Sequence, residues 1–284
     1  MGQPQPGILA DVPAASRYLF FNVRPGGDVR ASLLELASRD IDESLVVGIG
    51  APTIAALGET IEGLRVHPSL VGPGISVPST QAGLWLWLRG HDRGELLHRS
   101  RDLSDALVDG YDLDELIEGF RHREGRDLSG YVDGTENPKG EDAIAAAIGP
   151  SGESFVAVQR WIHDLDHLDA MEPEERDLTI GRTMADDEEI DEAPPSAHVK
   201  RTAQESFDPE AFVLRRSMPW SDPNGEGLMF VAFGRSFDAY EALLRHMIGI
   251  DDGISDALFR FTRPLSGSYF WCPPIEHGRL ALGF

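Results

Sequence analysis

The order of secondary-structure signals constrains the fold most, because the same order occurs once in each half of the chain. In the first half, residues 18–24 (YLFFNVR) are rich in aromatic and β-branched side chains and predict a strand. Asp28 can cap the helix that follows, and residues 45–50 (LVVGIG) and 84–88 (LWLWL) predict two further strands. A helix over residues 93–108 completes this set.

The second half repeats the pattern. Its predicted strands lie at residues 154–162, 212–216, 228–233 and 269–272. Residues 222–225 (DPNG) are a strong hairpin signal between the second and third of these strands. Ser236 is placed to cap a helix whose apolar residues recur at helical spacing.

These two sets predict an α+β fold built from two halves. No residue-level repeat relates the halves, so the duplication is one of pattern only. The stretch 140–152 contains Gly, Pro and charged residues and separates them. We therefore place one domain at residues 1–145 and the other at residues 146–284.

The charge and the cysteine content exclude several classes of partner. The formal net charge of −23 repels phosphate backbones and anionic lipids, so neither nucleic acid nor a membrane surface is an expected partner. The single cysteine, Cys272, cannot form an intrachain disulfide, which allows a reducing compartment. No secretory signal or apolar run of membrane-spanning length is recognisable, and we expect a cytoplasmic location.

One glycine-rich loop is the most informative local motif. Residues 130–138 (GYVDGTENP) place a single carboxylate, Asp133, between glycines. Glycine allows backbone to approach a flat ligand closely, since it has no Cβ to collide. An Asx-type turn is the commoner explanation of Asp-Gly between polar residues, so the loop needs support from elsewhere.

Two later segments supply that support. His198 follows a double proline in residues 194–201 (PPSAHVKR), although a lone histidine there is more often a surface residue. Arg215 lies in an apolar predicted strand, where burial is costly unless an anion or acceptor faces it. Strand alternation puts Arg215 and Ser217 on one face and Arg216 on the other. The alternative is an edge strand with Arg215 in solvent.

In this order, the motifs resemble those of the bacterial dye-decolorizing peroxidases, and most closely their shorter, cytoplasmic B-type branch. The matching segments are residues 130–138, 180–183 (IGRT), 196–198 (SAH) and 214–219 (LRRSMP), with 7–9 (GIL) and 261–267 (FTRPLSG) also fitting. The resemblance therefore covers nearly the whole chain. It implies two ferredoxin-like halves, each an antiparallel sheet with helices, of the dimeric α+β barrel superfamily.

The resemblance also implies one haem b per chain, enclosed by the two halves. By position, His198 is the expected proximal iron ligand, with Asp133 and Arg215 as the distal pair. Asp256 is the expected carboxylate behind the proximal imidazole, although two further aspartates are close by in sequence. Cofactor contacts are also expected from the loop residues Gly134, Thr135 and Glu136. Ser217 stands where other members carry asparagine, and it is a candidate for positioning peroxide or water.

The implied activity is that of a haem peroxidase that reduces hydrogen peroxide and oxidises dyes, phenols or other one-electron donors through a ferryl intermediate. Asp133 would shuttle the proton, and Arg215 would stabilise negative charge on the oxygen that leaves. The alternative, in which Arg215 is indispensable and Asp133 assists it, stays open. One alternative is a haem-binding protein for storage, delivery or iron release, and another is a haem-free ferredoxin-like binding module. The presence of both Asp133 and Arg215 favours the peroxidase, because storage needs no acid–base pair.

Association is expected as well, since α+β halves of this kind often pair and the family forms dimers and larger rings. The sequence does not select a number of subunits. Residues 278–284 follow directly on the last strand signal and leave no long linker. We therefore do not expect docking inside an encapsulin shell.

Overall fold

The computed structural model describes residues 2–284. Its strands are β1 (Ala15–Val23), β2 (Leu45–Ile49), β3 (Leu70–Gly72), β4 (Ile75–Val77), β5 (Leu84–Gly90), β6 (Tyr111–Phe120), β7 (Ser154–His163), β8 (Leu214–Arg215), β9 (Met218–Asp222), β10 (Gly225–Gly234), β11 (Thr262–Pro264), β12 (Ser268–Cys272), β13 (Ile275–Glu276) and β14 (Arg279–Leu280). Its helices are α1 (Pro6–Leu9), α2 (Val29–Ala37), α3 (Ala51–Leu57), α4 (Arg93–Leu107), α5 (Glu141–Ala147), α6 (Leu165–Ala170), α7 (Pro173–Ile180), α8 (His198–Arg201) and α9 (Asp238–Met247). Two short 3₁₀ turns lie at Gln204–Ser206 and Ala257–Arg260.

Each half forms a four-stranded antiparallel sheet. The N-terminal sheet has the order β2–β5–β1–β6, and the C-terminal sheet has the order β12–β7–β10–β9. In the N-terminal sheet β1 is central, which explains why its first seven residues are all buried. Asp28 caps α2 as predicted, because its carboxylate accepts a hydrogen bond from the amide of Ala31 at 2.9 Å.

The two sheets join edge to edge and close into one eight-stranded barrel. β12 pairs with β2 through Trp271 and Ile49, and β6 pairs with β9 through Gly119 and Trp220. Closure covers strand edges that would otherwise expose unpaired backbone groups. The predicted α+β architecture of two antiparallel halves is therefore confirmed.

Strand alternation divides the core into two layers. One layer fills the barrel with large aromatic side chains, among them the stacked rings of Trp85, Trp87 and Phe270. The other layer lies between the sheets and the helices, where Leu19 and Phe21 of β1 belong to the same cluster as residues of α2, α4 and α9. Successive β1 residues therefore face opposite layers, as the two-residue period of a strand requires.

The hairpin turn at residues 222–225 was predicted correctly, but the first of its two strands was not. The strand that pairs with β10 across residues 222–225 is β9, not residues 212–216. A two-residue turn sets Asp222 directly opposite Gly225, so the residues immediately before the turn must form the hairpin. The segment 212–216 contributes only β8, which pairs with the far end of β10. Helix α5 lies across the predicted domain boundary at residue 145, and that boundary stays a prediction.

Candidate functional site

The glycine-rich loop holds Asp133 through its backbone. The amide of Asp133 donates to the carbonyl oxygen of Gly125 at 3.1 Å, and Val132 forms a β-bridge with Arg126. Gly134 adopts a φ of +79°, a conformation that favours glycine. A Cβ built on Gly134 would lie 2.6 Å from Nδ2 of Asn137, so a larger residue would also displace that amide.

Two carboxamides tie this loop to the segment that carries Arg215. Asn137 Nδ2 donates to the carbonyl of Arg215 at 3.0 Å, and the amide of Arg215 donates to Asn137 Oδ1 at 2.8 Å. Gln204, which is buried, donates to the carbonyl of Glu136 and accepts from the amide of Val213, both at 3.0 Å. These four bonds fix the distance between Asp133 and Arg215. Sequence reasoning missed both carboxamides; the Asn-Pro pair at the end of the loop was the available signal.

His198 begins helix α8 directly after the turn that contains Pro194 and Pro195. Its Nδ1 lies 2.8 Å from Oδ2 of Asp256, whose side chain is fully buried. The other carboxylate oxygen of Asp256 accepts from the amide of Leu258 at 2.8 Å and caps a 3₁₀ turn. Asp256 is therefore fixed by the backbone and in turn fixes the plane and direction of the imidazole ring.

The two neighbouring aspartates have other partners. Asp252 pairs with the buried guanidinium of Arg201 at 2.7 Å, and Asp251 pairs with Arg245 at 3.0 Å. The hydrogen bond and the charge of Arg201 lower the pKa of Asp252. Of the three nearby carboxylates, only Asp256 is hydrogen-bonded to His198 within residues 2–284.

His198, Asp133 and Arg215 come from three separate segments and line one cavity, here called the apolar cavity. Its walls are mainly apolar and include Val213, Leu228, Phe230, Leu243, Leu244 and Met247. Its residues enclose about 710 Å³ of space, part of it open to solvent. Nε of Arg215 is buried there with no hydrogen-bond partner in the described chain.

Asp133 and Arg215 also line a second space, here called the polar cavity, together with Ser217 and Asn137. The predicted alternation is confirmed: Arg215 and Ser217 share this cavity, whereas Arg216 donates to carbonyl oxygens of residues 9 and 10. Ser217 Oγ accepts from the amide of Val231 at 3.3 Å. Its own hydrogen is therefore available to a molecule in the cavity.

The environment of Asp133 changes its acidity. Burial raises the pKa of its carboxyl, and the positive charge of Arg215 acts in the opposite direction. The negative charge of Asp127 adds to the effect of burial, and the net direction is upward. A carboxylate with a raised pKa is better matched to taking up and releasing a proton near neutral pH.

The structure does not bring Thr135 and Glu136 into either cavity. The hydroxyl of Thr135 donates to Asp187 at 3.0 Å, and the carboxylate of Glu136 accepts from Arg182 at 2.6 Å. Asp187 belongs to the acidic loop 185–192, which is mostly exposed, and Arg182 in turn donates to the carbonyl oxygen of Asp187 at 2.9 Å. Gly134, by contrast, lines the polar cavity beside Asp133.

Comparison with known proteins identifies the family. Residues 124–277 match the family described as "Dyp-type peroxidase, C-terminal". A dye-decolorizing peroxidase of Mycobacterium tuberculosis is 30% identical over 96% of this chain and 89% of its own length. The chain belongs to the dye-decolorizing peroxidase family. It is an enzyme, a peroxidase, and the resemblance inferred from the four motifs is confirmed.

Solved structures extend the similarity to the fold of this dye-decolorizing peroxidase. A variant of DypB from Rhodococcus jostii RHA1, described as in complex with heme, has a TM-score of 0.86 and 27% identity, covering 95% of this chain and 96% of that one. The encapsulated DyP-type peroxidase from Mycobacterium smegmatis has a TM-score of 0.87 and 25% identity, covering 96% of each chain. The expectation that this chain is not encapsulated thus gains no support and stays a prediction. Within residues 2–284, no helix combines the length and the apolar character needed to cross a bilayer.

Proposed function

We propose that this peroxidase holds its haem cofactor in the apolar cavity, with His198 as the iron ligand and Asp133 and Arg215 as the residues that act on hydrogen peroxide. The observation that carries the proposal is the convergence of these three side chains on one cavity. Family membership and the haem-containing structure of the Rhodococcus jostii relative support it. Haem storage or delivery is not favoured, because the relatives are peroxidases.

The residues present fit a haem. Asp256 accepts the hydrogen on Nδ1 of His198, which leaves the Nε2 lone pair available for a metal. The apolar walls suit the body of a macrocycle, and His198 makes no hydrogen bond through Nε2 in the described chain. When bound, the haem iron supplies the redox chemistry, holding the oxidising equivalents of peroxide until a reductant returns the electrons.

His198 and Asp256 act together on the proximal side. A carboxylate hydrogen-bonded to a ligating imidazole fixes its tautomer and orientation and raises its basicity as a ligand. Because Asp256 is fully buried, its charge acts on the imidazole with little screening by water. A more basic ligand stabilises iron in its higher oxidation states.

Asp133 and Arg215 have different roles in the reaction with peroxide. A carboxylate oxygen of Asp133 takes the proton from one peroxide oxygen and delivers it to the oxygen that leaves. The guanidinium of Arg215 stabilises the negative charge that develops on the leaving oxygen. Ser217 is a third proposed contact, since its hydroxyl hydrogen is free to orient peroxide or water in the polar cavity.

Rapid mixing of Asp133→Asn and Arg215→Leu variants with hydrogen peroxide tests these roles. Removing one preorganised group typically lowers the rate by on the order of 100-fold or more. A larger loss in Asp133→Asn supports the proton-shuttle role, whereas a larger loss in Arg215→Leu supports the opposite emphasis. Unchanged Soret absorbance shows that haem is still bound. Wild-type rates in both variants would overturn the proposal.

His198→Ala tests the ligand role separately, and it should lose bound haem or its normal absorption spectrum. An intact Soret band with wild-type turnover would remove His198 from that role.

Location and assembly are secondary proposals. We propose a cytoplasmic protein, since its one cysteine is buried and calls for no oxidising compartment. We also propose a homo-oligomer, which sedimentation analysis of the haem-loaded protein would test; a monomer at micromolar concentration would contradict it. Dyes and phenols are the proposed reductants.

A further inference from the structure

A buried Asp–His pair lies beside the distal residues and has no part in the mechanism above. Oδ1 of Asp127 is 3.0 Å from Nε2 of His163, and their side chains are 13% and 5% exposed. Asp127 lines the polar cavity with Asp133. His163 lines the apolar cavity with Asp133 and His198. The pair therefore forms part of the wall around the reacting groups.

Hydrogen-bond directions indicate the charge of His163. Its Nδ1 lies 2.6 Å from the hydroxyl oxygen of Thr262, and that hydroxyl donates its single hydrogen to the carbonyl of Ile162 at 3.0 Å. When the hydroxyl donates to that carbonyl, its oxygen accepts from Nδ1–H of His163. Nε2 faces a carboxylate oxygen and also needs a hydrogen there. An imidazole with hydrogens on both nitrogens is a cation, and the neighbouring carboxylate of Asp127 favours that form.

Asp127 is held in its ionised form. Its second oxygen accepts from the amide of Ser129 at 2.7 Å. Burial raises the pKa of Asp127, but the hydrogen bond and charge of His163 and the amide of Ser129 outweigh burial and lower it. The charge on Asp127 is in turn one of the groups that raise the pKa of Asp133. The cation at His163 therefore opposes the repulsion between two neighbouring carboxylates.

We propose that His163 is a positioning residue of this peroxidase, whose positive charge offsets Asp127 and so keeps Asp133 ionised as the base for peroxide. The inference rests on the proposed role of Asp133. Two carboxylates that share a site without a counter-charge cannot both ionise easily, so one of them retains a proton. With His163 charged, the Asp127–His163 pair is neutral and Asp133 is free to exchange its proton with peroxide.

Other charged groups also face the pair. Inside the protein these are Asp133, Arg215 and His198 in the apolar cavity, and Asp11, Arg121, His122, Glu124 and Arg126 in the polar cavity beside Asp127. In the surface groove behind His163 they are Asp164, Asp166, Glu226, Arg260 and Arg263. The groove is open to solvent, so salt and water screen its charges more strongly than those inside. None of these groups changes in the variants below, so any shift between variants reports the pair itself.

The test compares haem-loaded His163→Gln, Asp127→Asn and the double variant. Two quantities are followed against pH: kcat/KM for hydrogen peroxide, and the dissociation constant for hydrogen cyanide from absorption titration. Cyanide binding also requires a base to accept a proton, but it involves no turnover. The acid limb of each profile is the pH range in which activity or cyanide binding is lost as the pH falls. In His163→Gln we expect this limb to lie at a pH higher by on the order of one unit. Asp127→Asn should not move it up, and the double variant should follow Asp127→Asn.

If the pair had a purely structural role, both single variants would lose activity or bound haem, and the pH of the acid limb would not differ between them. An unmoved acid limb in His163→Gln, or an equal upward shift in Asp127→Asn, would overturn the inference. Should His163→Gln fail to bind haem, Thr262→Val provides the second test. Removing the hydroxyl acceptor disfavours the charged ring, so the limb should again move up, and no shift would contradict the proposal.

Asp133→Asn separates this inference from the function it rests on. If that variant retains the acid limb, Asp133 is not the base and both proposals fail. If it loses the acid limb while His163→Gln leaves the limb in place, only the role of His163 fails.

Discussion

The amide of Asn137 offers a sharp test of how the site is assembled. Its two hydrogen bonds to the backbone of Arg215, at 3.0 and 2.8 Å, tie the loop carrying Asp133 to the strand carrying Arg215. Asn137→Ala removes both bonds, each with a net contribution of about 1 kcal/mol. The substitution also leaves the backbone N–H and C=O of Arg215 without a hydrogen-bond partner, which costs about 1–3 kcal/mol for each group if water cannot reach it.

Water can reach part of this region, because Arg215 and Asn137 line the polar cavity. We therefore expect a total loss of roughly 2 kcal/mol, near the lower end of the range. In a protein of this size such a loss lowers Tm by roughly 3–4 °C. The peroxide reaction should lose more than stability alone explains, by on the order of 100-fold, because Asp133 and Arg215 are no longer held at a fixed separation.

Thermal unfolding and rapid mixing with peroxide, both on the haem-loaded protein, measure these two effects. Asn22→Ala is the matched control, since Asn22 is exposed on β1 and its side chain makes no hydrogen bond in the described chain. Gln204→Ala removes the other tie and should behave like Asn137→Ala. An Asn137→Ala protein with unchanged Tm and unchanged peroxide rate would refute the idea that these carboxamides set the site geometry.

Three further predictions concern single positions. Burial raises the pKa of Asp133, so kcat/KM for peroxide should begin to fall, as the pH is lowered, well above the pKa of about 3.9 of an exposed aspartate. Asp133→Asn should abolish this loss of activity at low pH. Asp256→Asn should weaken haem binding by roughly 10- to 100-fold in a transfer assay, and unaltered affinity would exclude Asp256 as the support of His198. Gly134→Ala should destabilise the fold by more than the roughly 1–2 kcal/mol of left-handed strain. Gly58→Ala is the control, because Gly58 has a φ of +73° and a ψ of 21° and a Cβ there meets open space, so this change should cost the strain alone. Equal losses in urea unfolding would contradict the predicted clash.

Local sequence patterns predicted much of the architecture. Most strands, the capped helix α2 and the helix α4 follow from residue periodicity and capping, which depend on neighbours a few residues apart. Strand β6 was missed because Asp112, Asp114 and Glu115 interrupt its apolar alternation. The alternation of Arg215 and Ser217 was predictable because a strand has a period of two whatever it packs against.

The sequence by itself determined which residues could do the chemistry, and the closed barrel decided which of them meet. The bond between His198 and Asp256 spans 58 residues, that between Asn137 and Arg215 spans 78, and that between Asp127 and His163 spans 36. Such contacts depend on how β7, β10 and the loops above them are brought together, and no local pattern encodes that. For this reason the hydrogen bond that distinguishes Asp256 from its neighbours, the two carboxamide ties and the buried Asp–His pair became visible only in the tertiary structure.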